Sequence, residues 1–480
     1  MRKIYYILIL TFLTRLYHFS FPLIGWHSWR QTDTASIAKN FYENGFNLFY
    51  PQVQWSGNTA GYVESEFQIY PFIVSLLYKL FGADDGFGRL LSIIFSVFTV
   101  YGLYLLVKAV IDKKTALWSS FIYAILPLNI YFGRAFMPEA MMLMCLVFGI
   151  YFFYKWIMLS KLRFFVYSLV FITIAVLIKI PCLYIGLPLL YLSYKKYKWK
   201  SFVNPHLLVF TLVVLMCTYL WYQHAHNLYK LTGLTFNIWG FGSDKWGNFD
   251  LLLSADFYYS IFIKSIAERN LTYVGFLVFI AGIFVSRKYK IDPMFHYWLG
   301  GVFIYFLIAA KGNMYHDYYQ LPFTLPASVY IGYVFSKFLS KQDTNKKAVR
   351  ITLIASLLLI FAFSAIKTIN LFLKEDSGNT IFTFTDDLKK HTVKDDLIVN
   401  FSEGTPTNLY LCERKGWVIS PEKIADTISI NDLKNKGAKY MAGEKRYYSS
   451  PELMQKLNDS FLKYDVLVNE KDYFILSLEK

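Results

Sequence analysis

Arg89-Leu-Leu-Ser-Ile-Ile-Phe-Ser-Val-Phe-Thr-Val-Tyr-Gly-Leu-Tyr-Leu-Leu-Val-Lys-Ala-Val110 decides what kind of protein this is. No charged side chain stands between Arg89 and Lys108. As a helix rising 1.5 Å per residue, a run of about 20 residues covers the roughly 30 Å hydrocarbon core of a bilayer. In lipid it must be a helix, because every backbone amide there needs a partner within the segment. Comparable runs occur at 4–24, 116–132, 138–157, 164–178, 182–192, 207–222, 271–285, 294–310, 319–338 and 351–372. The runs 164–178 and 182–192 are short and divided by Pro181, so they read as a broken helix pair or a re-entrant element. With 55% hydrophobic, 20% aromatic and only 17% charged residues among 480, the chain cannot be sorted into one core and one polar surface. The reading is an all-α polytopic membrane protein with about eleven transmembrane helices.

Lys and Arg accumulate in cytoplasmic loops. Here they fall on alternate connections: Arg2 and Lys3; Lys108, Lys113 and Lys114; Lys155, Lys161 and Arg163; Lys195, Lys196, Lys198 and Lys200; Arg287, Lys288 and Lys290; Lys337, Lys341, Lys346, Lys347 and Arg350. That pattern puts the long connections 25–88 and 223–270 outside, together with the C-terminal part. The formal charge of +16 lies in short loops beside membrane helices, which points to anionic headgroups and away from nucleic acid. Arg2 and Lys3 precede an apolar run without a small-residue cleavage site, so the first segment reads as an uncleaved anchor. Cys145, Cys182, Cys217 and Cys412 form no disulfide framework or metal motif. The expected domains are a transmembrane domain, 1–373, with first external loop 25–88, and a small extracytoplasmic α/β soluble domain, 374–480. In the latter, 397–401, 408–411, 417–420 and 473–478 read as strands and 450–458 as helix.

The first external loop carries Gly25-Trp-His-Ser-Trp-Arg-Gln-Thr-Asp33-Thr-Ala-Ser-Ile-Ala-Lys-Asn-Phe41, a polar stretch entering a short helix. Trp26 and Trp29 suit the headgroup level. Arg30 precedes Asp33 by one turn if that helix starts early. Further on, Glu64 and Glu66 stand before an apolar helix at 71–81, too short to cross and suited to the interface. Arg89, Arg134 and Lys179 fall at outer helix ends, where a charge needs a cavity or a partner. The turn Asn313-Met-Tyr-His316-Asp317-Tyr-Tyr319-Gln320-Leu-Pro322 is dense in hydrogen-bonding groups. Each feature also has an ordinary explanation: a helix cap and surface ion pair for Arg30 and Asp33, first-turn acids favoured by the helix dipole for Glu64 and Glu66, snorkelling for the cations. Their convergence on one membrane face favours function.

In this order and placement, Trp29 to Thr34, Glu66 to Pro71, Arg89 to Ser92, Arg134 to Glu139 and His316 to Pro322 resemble the GT-C superfamily of membrane glycosyltransferases. The similarity, over about 4–332, is to the branch of protein O-mannosyltransferases and bacterial lipid A aminoarabinose transferases. It implies transfer of a sugar from a polyprenyl-phosphate donor to a glycolipid, polymer or protein acceptor at the outer face of the bacterial inner membrane, with inversion. An acid of the first external loop is the catalytic base in that superfamily, and Asp33 matches it. Many relatives carry an Asp-Glu doublet where this chain has Asp33-Thr34, which makes Glu66 the second acid. Charge building on the departing phosphate calls for fixed cations, assigned to Arg134, Lys179 and Arg30. His316, Tyr319 and Gln320 are assigned to the sugar or the donor. No cofactor is certain and metal dependence stays open: relatives differ in needing a divalent metal, no strong ligand set is visible, and Asp33, Glu66 and His316 are the set the external loops offer one.

Two other classes fit a polytopic bundle. A secondary transporter or lipid flippase shows internal repeats around a midplane site and short, balanced loops, in contrast to the long first loop here. A scaffold with a partner-binding external domain needs no clustered carboxylates and cations.

Overall fold

A computed structural model describes residues 2–237, 245–288, 291–339, 347–376 and 379–479. Lys290, Lys341 and Lys346, and part of the connection 223–270, lie outside them. By packing the chain falls into two units: Met1–Phe19, Arg89–Gln223 and Trp239–Asn370; and Ser20–Gly88, His224–Ile238 and Leu371–Lys480. The connection 25–88 is thus grouped with the C-terminal residues.

The first unit is helical. Among the described residues, Gly86–Val110, Glu139–Leu159, Pro205–Thr232 and Lys347–Asn370 are long and apolar enough to cross a membrane, and Ala255–Asn270 with Tyr273–Ser286 is a pair bent by 110°. Other expected spans are shorter, for local reasons. The run 4–24 is helical only over Arg2–Leu13, beyond which Arg15 is buried, donating to the carbonyls of Thr11 (3.0 Å), Ala124 (3.3 Å) and Asn129 (2.9 Å). The run 116–132 is divided at Leu126–Pro127 into Lys113–Ile125 and Pro127–Phe132. Leu162–Ile178 stops at Lys179, and Ile180–Ile185 makes a tight turn before Gly186–Tyr197. Proline removes an amide donor and clashes with the preceding turn, which accounts for the last two breaks. Helix Leu321–Phe338 lies against Lys113–Ile125 so closely that a Cβ on Gly332 would stand 2.5 Å from the backbone nitrogen of Ser119. Small residues permit such approach where lipid supplies no hydrophobic drive.

The second unit contains strands β1 (Leu397–Phe401), β2 (Lys415–Ile419), β3 (Ala438–Glu444), β4 (Asp465–Asn469) and β5 (Tyr473–Ser477). The sheet order is β2-β1-β3-β5-β4, with β1 parallel to β2 and β3, and β5 antiparallel to β3 and β4. Helices Asn379–His391, Thr407–Cys412, Thr427–Asn435 and Pro451–Lys463 accompany it. Residues 408–411 are therefore helix where alternation suggested a strand; four residues of Asn-Leu-Tyr-Leu fit one helical turn as well as a period of two. Part of the connection 25–88 packs directly on this sheet. Gly57 donates to the Gly416 carbonyl at 2.7 Å, and Gly416 to that of Gln54 at 3.2 Å. Gly57 has φ +56°, and a Cβ there would lie 2.2 Å from the Trp417 ring. Trp55 packs against the cluster of Phe384, Ile398 and Leu409, and Thr32 and Ser28 each lie 3.4 Å, Oγ to Oγ, from Thr407.

Candidate active site

Helix Ser28–Asn44 opens after His27 in the left-handed region and ends at Gly45, φ 111°, whose amide returns to the Phe41 carbonyl. Its composition is polar, yet every residue from Arg30 to Ala38 is buried. Burying polar groups costs free energy unless partners or function compensate. Asp33, 3% exposed, accepts from Trp55 Nε1 at 2.8 Å. Burial pushes its carboxyl up to about 7; the Trp55 hydrogen bond and the Arg30 charge pull down, and Glu66 pushes up. Arg30, one turn before Asp33 as expected, pairs with Glu66 instead (Nη2 to Oε2 3.1 Å) and lies over the Phe236 ring at 5.3 Å. Phe236 meets Trp55 edge-on at 5.9 Å. The structure thus gathers Arg30, Asp33 and Glu66 in one unit.

The dipole explanation of Glu64 and Glu66 fails, because the apolar helix begins at Ile69 with no acid in its first turn. Glu64 instead accepts from the Thr235 hydroxyl and lies 3.2 Å from His226 Nδ1. Thr235 and His226 are far along the chain, and no local pattern announces them.

The other candidates lie in the helical unit, at breaks between helices. Lys179, extended between Leu162–Ile178 and the turn after it, has its Nζ 3.4 Å from Glu139 Oε1 and stands over the rings of Tyr318 and Tyr319 at 5.5 and 5.6 Å. His316 stacks on Tyr318, centroids 5.3 Å apart. The Gln320 amide donates to the carbonyls of Asn313 and His316, closing the turn. Asp317 pairs with Arg269 at 2.6 Å. Arg134, in the loop between Pro127–Phe132 and Glu139–Leu159, donates to the His18 carbonyl at 3.2 Å, which also accepts from Arg89 at 2.5 Å. The structure thus brings Lys179 to the 316–320 turn and places Arg134 with Arg89. Glu139 and Trp55 escaped sequence reasoning as site residues. Glu139 had a signal, an acid opening an apolar helix; Trp55 had none. Among the described residues no group of three or more His, Cys, Asp or Glu is gathered for a metal.

This architecture is similar to crystal structures of ArnT from Cupriavidus metallidurans, in the apo state (TM-score 0.64, 13% identity) and bound to undecaprenyl phosphate (0.63, 10%), each covering 99% of this chain and 97% of that one. It is also similar to the apo oligosaccharyltransferase of Archaeoglobus fulgidus (0.58, 11%, covering 96% and 73%). The chain has the GT-C fold. In sequence, residues 68–222 match the model of the dolichyl-phosphate-mannose-protein mannosyltransferase family; no curated protein matches the chain. On this GT-C fold the matched segment holds Arg89, Arg134, Glu139 and Lys179, while Asp33 and the 316–320 turn lie outside it.

Proposed function

We propose that the chain is a membrane glycosyltransferase that moves a sugar from a polyprenyl-phosphate donor to an acceptor at the outer face of the membrane, with inversion. The observation that carries this is Asp33: a buried carboxyl on a polar helix, held by one indole and brought up to about 7. A carboxyl near neutrality is suited to taking a proton in the transition state. The GT-C fold, and a structural neighbour that binds undecaprenyl phosphate, support the donor class.

In this reading the acceptor hydroxyl or amide gives its proton to Asp33 as it attacks the anomeric carbon. The bond from that carbon to the phosphate oxygen breaks, and its electron pair leaves with the polyprenyl phosphate. Lys179 and Arg134 neutralise the departing anion, which is worth most where fixed charges are already in place and water is excluded. Glu139 holds Lys179 at the helix break, and Glu66 holds Arg30, whose charge keeps the Asp33 carboxylate accessible near neutral pH. Tyr319 and His316 bind the sugar or the donor; Gln320 shapes their turn. The basic loops put Lys198 and Lys288 in the cytoplasm and Asp33 and Trp417 outside, with about eleven crossings in all.

The test is consumption of radiolabelled polyprenyl-phosphate sugars by purified protein in lipid, native against Asp33→Asn. Asp33-dependent loss of one donor supports the transferase and names its sugar. No loss of any donor, with membrane extract supplying acceptors, removes the reading. Reporter fusions at Lys198 and Trp417 check the orientation.

A further inference from the structure

The second unit contains a cavity of about 700 Å³ that the chemistry at Asp33 does not use. It lies among the start of helix Ser28–Asn44, the loop after β1, the end of β3 and the turn before β5. Its charged lining cancels: Glu403, Glu444 and Asp472 face Lys445, Arg446 and Lys471. A site for a free phosphate or another small anion would carry an excess of cations.

The polar groups are fixed before any ligand arrives. Arg446 grips Glu444 with two nitrogens, Nε at 3.0 Å and Nη2 at 3.1 Å, and its Nη2 also reaches the Tyr447 hydroxyl at 3.1 Å. Asn408, 1% exposed, donates to Asn400 Oδ1 at 3.2 Å and to Glu444 Oε1 at 3.4 Å. Its own Oδ1 is buried with no hydrogen-bond partner among the described residues. Thr405 and Thr407 add hydroxyls, and Trp29 and Tyr447 add aromatic faces.

We infer that this cavity binds a neutral, hydroxyl-rich glycan: the sugar portion of the acceptor. Planar amide, carboxylate and guanidinium groups match vicinal hydroxyls, which donate and accept together. The aromatic rings suit the C–H face of a pyranose. The absence of net lining charge matches an uncharged ligand. Assignment of the glycan to the acceptor rests on the transferase reading; that a glycan binds does not. Ser28 and Trp29, which line the cavity, open the helix that carries Asp33, and Trp29 and Asp33 are four residues apart. Residues so spaced are neighbours on one helix face.

The experiment is saturation-transfer difference NMR on the full chain in nanodiscs, with methyl α-mannopyranoside, maltotriose and chitotriose as probes. Ring-proton saturation is expected for at least one sugar. It should fall about tenfold in Asn408→Leu, which removes the amide, and in Met454→Trp, which fills the cavity from the surface of helix Pro451–Lys463 without removing a hydrogen bond. It should persist in Asp33→Asn. If Asn408→Leu melts early, Met454→Trp decides. Saturation by none of the sugars overturns the inference. So does saturation that survives both cavity variants, or that disappears with Asp33→Asn alone. Because binding is read without turnover, failure to consume any donor would remove the transferase and leave this result standing.

Discussion

Asp33 and Glu64 lie in the same unit and are equally buried, each 3% exposed, yet their surroundings differ in kind. Glu64 is sewn into its neighbours. Its carboxylate meets the Thr235 hydroxyl and the His226 ring, its amide donates to the Leu234 carbonyl, and its own carbonyl accepts from Phe236. Asp33 accepts from one indole, and burial raises it to about 7. Burial alone therefore does not identify a catalytic acid. The two differ in the partners supplied to the carboxylate, and under the proposed function that difference separates a structural acid from the base.

The contrast is exposed to four tests. Asp33→Asn should lower donor turnover about 10²–10⁴-fold while the protein keeps its melting temperature, since the shape is retained and only the base is lost. Near-normal turnover would break the contrast at once. Lys179→Ala should lower kcat/KM for the donor about 10²-fold, the scale of losing one fixed charge at a developing anion; unchanged donor kinetics would return Lys179 to a snorkelling role. Glu64→Gln should cost about 1–3 kcal/mol of stability, seen in thermal melting, with turnover of the folded protein unchanged. A turnover loss like that of Asp33→Asn would make both acids chemical.

The smallest effect is in pH dependence. With burial raising its carboxyl to about 7, an Asp33 base should be protonated below that value, so kcat/KM should rise with pH and level off above it. Arg30→Gln removes a charge that pulls the carboxyl down and should move this acidic limb upward. A limb that stays in place would show that the Arg30–Glu66 pair is electrically neutral toward Asp33.

What the sequence disclosed follows the range of the interactions involved. The charge-free run after Arg89 became helix Gly86–Val110, the short apolar run became Ile69–Phe81, and Arg30 and Asp33 share one helix, all because helix periodicity and hydropathy are local. Inside apolar runs, single charged and proline residues set where helices end. In 4–24 the helix ends at Leu13, just before Arg15, and Pro127 marks the break in 116–132. Helix spacing sets Arg30 beside Asp33, whereas its ion pair is with Glu66, brought back by a loop. Trp55 became the Asp33 partner through the fold of the same loop, and β3 pairs with β1 and β5, both distant in the chain, so no local pattern announces its place in the sheet.

Backbone bonding between Gln54–Gly57 and Gly416 covers the outer side of β2, an end strand of the sheet. An end strand left bare is a template for pairing with other molecules. Here the seal is made early in synthesis and the strand it protects very late, so the finished edge depends on a segment that has waited through the translation of nearly all the helices. A fragment beginning at 374 would have the sheet without its seal, and self-association is the fate to expect of it.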